Sequence, residues 1–187
     1  MVKHPVDPVD PYSAGKHTCE EYISLYGKIF NLNYIILRIF GIYGPRQIPK
    51  PGSLVGVISI FVENILSGKN IVIYGDGKLK RDFLYIDDFI KIVFRLLNKD
   101  LWKNTFNIAS GKSITLNELV KILAKKLVSH KFKVNFKEPL ESDVDLLPDA
   151  SFLKAKIHYK PAIGLEEGIE RYIDWYKQRR VYGPSAV

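Results

Sequence analysis

A tyrosine followed four residues later by a lysine, Tyr12-Ser13-Ala14-Gly15-Lys16, is the pair in this chain best suited to proton chemistry. On a helix that spacing stacks both side chains on one face, a single turn apart. The ammonium then favours the phenolate and lowers the phenol's pKa, which lies near ~10 when unperturbed. A phenol so assisted can serve as an acid or a base near neutral pH. On spacing alone a solvated helix face is the commoner explanation, and the segments beyond Lys16 decide between the two. Other chemistry-bearing residues have simple structural readings. Arg81 can pair with Asp76 or Asp82 in a turn, and Tyr74 can be an ordinary strand aromatic. Asp87-Asp88 suits a helix cap better than an acid–base pair. His4, His17, His130 and His158 lack metal-ligand spacing, so no metal is expected. Cys19 reads as a small buried apolar side chain.

The elements that must carry these residues are set by pattern. The opening, from His4 to Pro11, carries Pro5, Pro8 and Pro11 and predicts an extended loop. Asp10 and Pro11 suit the entry to a helix reaching about Asn31, with apolar positions at Tyr22, Ile23, Tyr26, Ile29 and Phe30. Tyr34 to Phe40 is a nearly continuous apolar run, the pattern of a strand covered on both faces in a parallel sheet. Gly41 to Gly56 reads as a long loop. A helix over about Val57 to Leu66, a strand at Ile71 to Tyr74 with the turn Gly75-Asp76-Gly77, and a strand from Arg81 to Ile86 come next. Asp87 or Asp88 then caps a helix to Leu97, and Thr105 to Ala109 forms a strand. Thr115 and Glu118 have capping-box spacing at the head of a helix to about Val128. A strand at Lys133 to Phe136 and a helix from Leu165 to Tyr176 complete the pattern. Strands alternating with helices predict an α/β fold with parallel strands.

Composition narrows the function classes. The 187 residues are 47% hydrophobic, ordinary for a globular domain, and no apolar run reaches the ~18 residues of a membrane span. One cysteine forms no internal disulfide, so the cytoplasm is the expected compartment. The net charge of +8 is spread along the chain, with Lys125-Lys126 and Arg179-Arg180 among its adjacent basic pairs. Both of these fall late in an expected helix, where cations suit the dipole. A lysine-rich solvated surface is expected, with no nucleic-acid partner and no membrane.

From Tyr12 onward the chain resembles the extended short-chain dehydrogenase/reductases, the NAD-dependent nucleotide-sugar epimerases and dehydratases of the UDP-glucose 4-epimerase kind. The resemblance spans about residues 5 to 177. It rests on Pro11 to Lys16, Leu37 to Gln47, Ile73 to Gly77 leading into Arg81 to Asp88, Asn107 to Gly111, and Leu165 to Ile169. It implies that Tyr12 is the acid/base at the sugar C4 hydroxyl and that Lys16 binds the nicotinamide ribose. Tyr12, Lys16 and Phe40 would be the residues that meet NAD. Gly41, Val72, Tyr74, Arg81 and Asp143 would bind the nucleotide-diphosphate sugar, with Tyr74 stacked on the base and Arg81 clamping the diphosphate. Two positions depart from the family pattern. Gly41 stands where an asparagine often touches substrate, and Leu140 stands where an arginine often precedes the acidic residue, here Asp143, that meets the nucleotide ribose.

A complete dinucleotide-binding sheet opens on a strand and a glycine-rich turn whose amides hold the pyrophosphate. No G-x-G-x-x-G-like turn occurs in these residues, nor the Ser/Thr that the family places well ahead of the tyrosine. The expected fold is therefore an incomplete Rossmann-type parallel sheet, its C-terminal half, plus a smaller α/β nucleotide-sugar-binding lobe. Residues 11–40 and 82–110 would be the remnant of the NAD-binding sheet, and 41–81 and 111–177 the substrate lobe. Such a chain is expected to be inactive alone and to expose apolar edges at Ile35 to Ile39 and Phe106 to Ile108. A non-catalytic nucleotide-sugar-binding module, or one chain of a split enzyme, is the alternative. A homodimer through the first helix, or an N-terminal half on another chain, is the expected partner.

Overall fold

Asp10 opens the first helix with a reciprocal cap: its carboxylate accepts the Ser13 N–H at 2.6 Å, and its own N–H donates to the Ser13 hydroxyl at 3.2 Å. The computed structural model describes residues 7, 8, 10–49, 56–140, 145 and 147–182. Most of the proline-rich opening, residues 50–55 of the long loop, and Asp143 lie outside the described residues. In chain order the elements are α1 (Pro11–Ile29), β1 (Ile35–Ile39), β2 (Ile42–Tyr43), α2 (Val57–Leu66), β3 (Ile71–Tyr74), β4 (Lys80–Asp82) and β5 (Leu84–Tyr85). Next come α3 (Ile86–Leu97), β6 (Asn104–Ile108), β7 (Ser113–Thr115), α4 (Leu116–Lys126), β8 (Val134–Lys137), α5 (Ser151–Ile157) and α6 (Leu165–Tyr182).

Three strand pairs are parallel. β1 lies beside β6 with Ile35 opposite Asn104, β2 beside β5 with Ile42 opposite Leu84, and β3 beside β8 with Ile71 opposite Val134. The fourth, β4 with β7, is antiparallel and sets Arg81 opposite Ile114. The continuous strand expected from Arg81 to Ile86 is thus two strands with different partners. The break has a physical cause: Asp82 turns its buried carboxylate to a loop, and the Leu84 N–H donates to the Gly41 carbonyl at 3.1 Å. β2, β7 and α5 have no counterpart in the sequence pattern, being too short for hydrophobic period to register.

Two apolar clusters hold these elements. The larger joins α2, β3, α4 and α6 through Phe61, Val62, Ile65, Ile71, Leu119, Leu123, Ile169 and Tyr172. The smaller sets β6 under α3 and α5, where Leu84, Ile92, Leu96, Phe106, Ile108, Leu153, Ile157 and Tyr159 meet. Phe106 and Ile108 are fully buried, which corrects the expectation that they form an exposed edge; α3 and α5 cover them. Of the other expected edge, Ile39 is exposed, and so are Tyr22, Ile23, Tyr26 and Ile29 along α1. Cys19 is exposed rather than buried. Gly27 is the single buried residue of α1 among the described residues, so nothing there covers the thiol.

The C-terminal helix packs closely enough to require a glycine. A Cβ on Gly168 would run into the Tyr43 hydroxyl and the Tyr85 ring. Tyr43 donates to the Leu165 carbonyl at 3.2 Å, and burial, then the neighbouring Tyr85, push its phenol well above the ordinary range. The motif segments around Tyr43 and Gly168 are therefore one packing unit.

Neither Asp87 nor Asp88 caps α3, another correction. The capping position belongs to Tyr85, which makes no side-chain cap bond, and both aspartates lie inside the first turn. Asp88 is fully buried and accepts the backbone N–H groups of Ala162 at 3.2 Å and Ile163 at 2.9 Å. Among the described residues no helix is long and apolar enough to cross a membrane. Asp88→Ala leaves two N–H groups without their acceptor and is expected to cost about 1–3 kcal/mol. Asp87→Ala removes a helix-dipole contact and a surface pair at 3.7 Å with Arg171, expected to cost less than about 1 kcal/mol. Urea denaturation of the two variants side by side measures the contrast, and equal midpoints would restore the capping view.

Candidate active site

α1 presents Tyr12 and Lys16 to solvent, with Tyr12 73% exposed and the Lys16 Nζ 5.4 Å from the centroid of its ring. One further turn along, Glu20 accepts from Arg38 of β1 through both oxygens: Nε donates at 2.7 Å and Nη2 at 2.6 Å. This fork is bidentate and half-buried, the strong form of a charged hydrogen bond. Sequence reasoning missed it, although a signal was present. An arginine inside an apolar strand needs an anionic partner.

Phe40 comes directly after β1, half-buried, its N–H donating to the Ile108 carbonyl at 3.1 Å. Gly41 is next with φ at 35°, and a Cβ there would collide with the Asp82 carbonyl oxygen. No side chain has room at this position on this backbone. The buried carboxylate of Asp82 accepts the N–H groups of Ser110 and Gly111, each at 2.7 Å. Phe40-Gly41, Arg81-Asp82 and Ser110-Gly111 are thereby brought together. Arg81 is half-buried and donates from Nη1 to the Lys80 carbonyl at 3.0 Å. The Asp76 carboxylate is engaged by Lys78 at 2.8 Å, and that partner holds its pKa below the usual value.

Val72 and Tyr74 are half-buried on β3, opposite Asn135 and Lys137 of β8. Lys137 Nζ stands 6.0 Å from the Tyr74 ring centroid. Beyond Tyr74 opens a cleft of about 770 Å³ walled by Gly75, Asp76, Leu79, Phe136, Lys137, Glu138 and Pro139. Gly77 is pinned against Asn117 of α4, whose side chain donates to the Asp76 carbonyl at 3.0 Å, so the turn at the cleft mouth is held in place. The Lys80 N–H donates to the Asp145 carboxylate at 2.8 Å, which sets Asp145 beside β4. Leu140 is half-buried. Among the described residues no three His, Cys, Asp or Glu side chains gather as a metal site.

Residues 1–109 match the NAD dependent epimerase/dehydratase family. The chain belongs to this family. A putative UDP-glucose 4-epimerase of Methanocaldococcus jannaschii is 38% identical over 175 residues, 93% of this chain and 55% of that protein. The UDP-glucose 4-epimerase of Thermotoga maritima, solved with UDP-glucose, superposes with a TM-score of 0.84 at 32% identity, over 93% of this chain and 55% of that one. The Thermus thermophilus UDP-glucose 4-epimerase, solved with NAD, gives 0.83 at 28% identity, over 100% of this chain and 58% of that one. The chain spans about half the length of the epimerase/dehydratase relatives it matches. Its fold is the Rossmann-like α/β fold of these family members.

Gly41→Asn sets a side chain against the Asp82 carbonyl and is expected to lower stability by about 1–3 kcal/mol; a wild-type denaturation midpoint would mean that the backbone there gives way. The helix that carries Tyr12 and Lys16 should respond to acid at its first turn. The Ser13 N–H, then its hydroxyl, hold the Asp10 carboxyl below its ordinary pKa. The cap is therefore fully present above the unfolded value near 3.8 and is lost as pH falls through the lower folded value. Protection of the Ser13 amide, which donates to the Asp10 carboxylate, is expected to fall relative to its intrinsic exchange rate in that acid window and not above it.

Proposed function

We propose that these residues form the C-terminal, substrate-facing part of an NAD-dependent nucleotide-sugar epimerase or dehydratase that works by transient oxidation at sugar C4. The observation that carries the reading is the exposed Tyr12–Lys16 pair, one helical turn apart, on a helix held to β1 by the Glu20–Arg38 fork. Tyr12, acting as the phenolate, takes the C4 hydroxyl proton to become the neutral phenol and later returns that proton. Lys16 sets a positive charge beside that phenol and donates to the nicotinamide ribose, and Phe40 closes on the nicotinamide end. Bound NAD supplies the hydride acceptor and donor at C4. The residues present fit only that end of the cofactor, since no glycine-rich turn among them can cradle the pyrophosphate.

Val72 and Tyr74 flank the nucleotide base at the cleft, and Arg81 meets the diphosphate with a planar set of donors. Asp143 is assigned to the nucleotide ribose. The exposed apolar face of α1 is the surface for a second copy or for the glycine-rich half, whether that half lies on the same chain or another. With a single exposed thiol and no demand for a disulfide, the cytoplasm is the assigned compartment.

The test joins this chain to the glycine-rich half of the Methanocaldococcus jannaschii relative and monitors turnover of UDP-glucose with NAD. Turnover is expected in the joined protein and absent from the 187 residues by themselves. Tyr12→Phe is expected to lower kcat by about 10²–10⁴-fold with little change in KM. Nucleotide-sugar binding that is retained in both proteins with no turnover in either would favour the rival, a nucleotide-sugar-binding module without catalysis, and equal non-zero rates would remove Tyr12 from the reaction.

A further inference from the structure

The fork between Glu20 and Arg38 does more than tie two elements together. α1 is 19 residues long, yet Gly27 is its single buried residue among those described. Tyr22, Ile23, Tyr26 and Ile29 all stand in solvent, so apolar packing does not fix how the helix is rotated. Two contacts do. The Tyr34 ring lies against Gly27 so closely that a Cβ there would overlap it, which pins the C-terminal end. The guanidinium of Arg38 grips both oxygens of Glu20 at 2.6 and 2.7 Å, which pins the middle.

At about 100° per residue, Tyr12, Lys16, Glu20 and Gly27 fall within an arc of about 80° on the helix. The face that carries the reacting pair is therefore the face that is clamped. Arg38 sits two residues before Phe40, on the same side of an extended chain, so one ion pair connects the tyrosine–lysine stripe to the strand end beside it. A bidentate fork fixes both the height of Glu20 along β1 and its angle, which a single-point contact does not. Displacement of a reacting group by about 1 Å can cost about 10²-fold in rate.

We propose that Glu20 and Arg38 are positioning residues, a latch that sets Tyr12 and Lys16 relative to Phe40, in a role that rests on Tyr12 and Lys16 being the catalytic pair. The latch joins α1 to β1, whereas Tyr74 and the cleft beyond it lie on β3 and its neighbours, so substrate affinity and turnover should separate when it is broken.

In the joined, NAD-loaded protein, Glu20→Gln is expected to lower kcat at least about tenfold while KM for UDP-glucose stays within about twofold. Arg38→Lys keeps the charge, loses the fork and should fall between that variant and wild type. The exchanged pair Glu20→Arg with Arg38→Glu should recover most of the lost kcat, and Glu170→Gln, which breaks the remote 2.6 Å pair with Lys126, should change neither constant. An unchanged kcat in Glu20→Gln, or kcat and KM moving in parallel, overturns the latch. If the wild-type joined protein shows no turnover, the functional reading fails, and amide exchange on the 187-residue chain judges the latch alone. Exchange along α1 should then quicken at least about tenfold in Glu20→Gln with α4 unchanged, and equal α1 rates in both proteins overturn the proposal.

Discussion

The buried carboxylate of Asp82 is the point through which the two halves of the structure are registered. A buried carboxylate is tolerated only when its oxygens are well satisfied, and here the Ser110 and Gly111 N–H groups take one oxygen each. The same residue offers its carbonyl to the surface of Gly41, where only a hydrogen fits. Three segments distant in sequence meet within one residue: the end of β1, the loop after β6 and the end of β4. The place of Phe40, the break between β4 and β5, and the setting of Arg81 all derive from that junction. Asp88 does the same for the loop before α6, with two backbone N–H groups on one carboxylate. Acidic side chains in this chain act as anchors for backbone more than as reagents.

Around these anchors the packing is uneven. The lobe built on β3, α2, α4 and α6 has a closed apolar core, and β6 is sealed by α3 and α5. β1 and α1 are different. Among the described residues β1 pairs only with β6, and α1 turns its aromatic and aliphatic side chains outward. Parallel strands are ordinarily covered on both faces and paired on both edges within a larger sheet. The open side of this sheet coincides with the shortfall against family members about twice as long.

Helices and parallel strands were legible because their hydrophobic period was long enough to see. α2 and β3 lie where the pattern set them, and the Thr115–Glu118 box caps α4 as its spacing demands. The failures share a cause. As sequence, Asp87-Asp88 suggests a helix cap and Asp82 a turn partner for Arg81, yet partners between 28 and 75 residues away decide the role of Asp82 and Asp88. The exposure of Cys19 and the burial of Phe106 depend on which neighbour covers a face, and local pattern carries no record of that neighbour. For the candidate site, helical spacing set Tyr12 and Lys16 side by side, and the motif resemblance beyond Lys16 supplied the chemistry expected of them. The Glu20–Arg38 fork could be suspected only from a cation stranded in an apolar run.

The contact between Tyr43 and α6 has a consequence for how the chain comes into being. Tyr43 and Leu165 are 122 residues apart, and the Tyr172 hydroxyl reaches back 125 residues to the Gln47 carbonyl. On the ribosome, β2 and α2 are made long before the helix that covers them, and they wait with aromatic and branched side chains uncovered. Pairings this remote fold slowly because the loop must close before the contact rewards it. This packing is therefore completed only after α6 has been made, and a nascent chain that stalls before Leu165 keeps the apolar surface under that helix open to self-association.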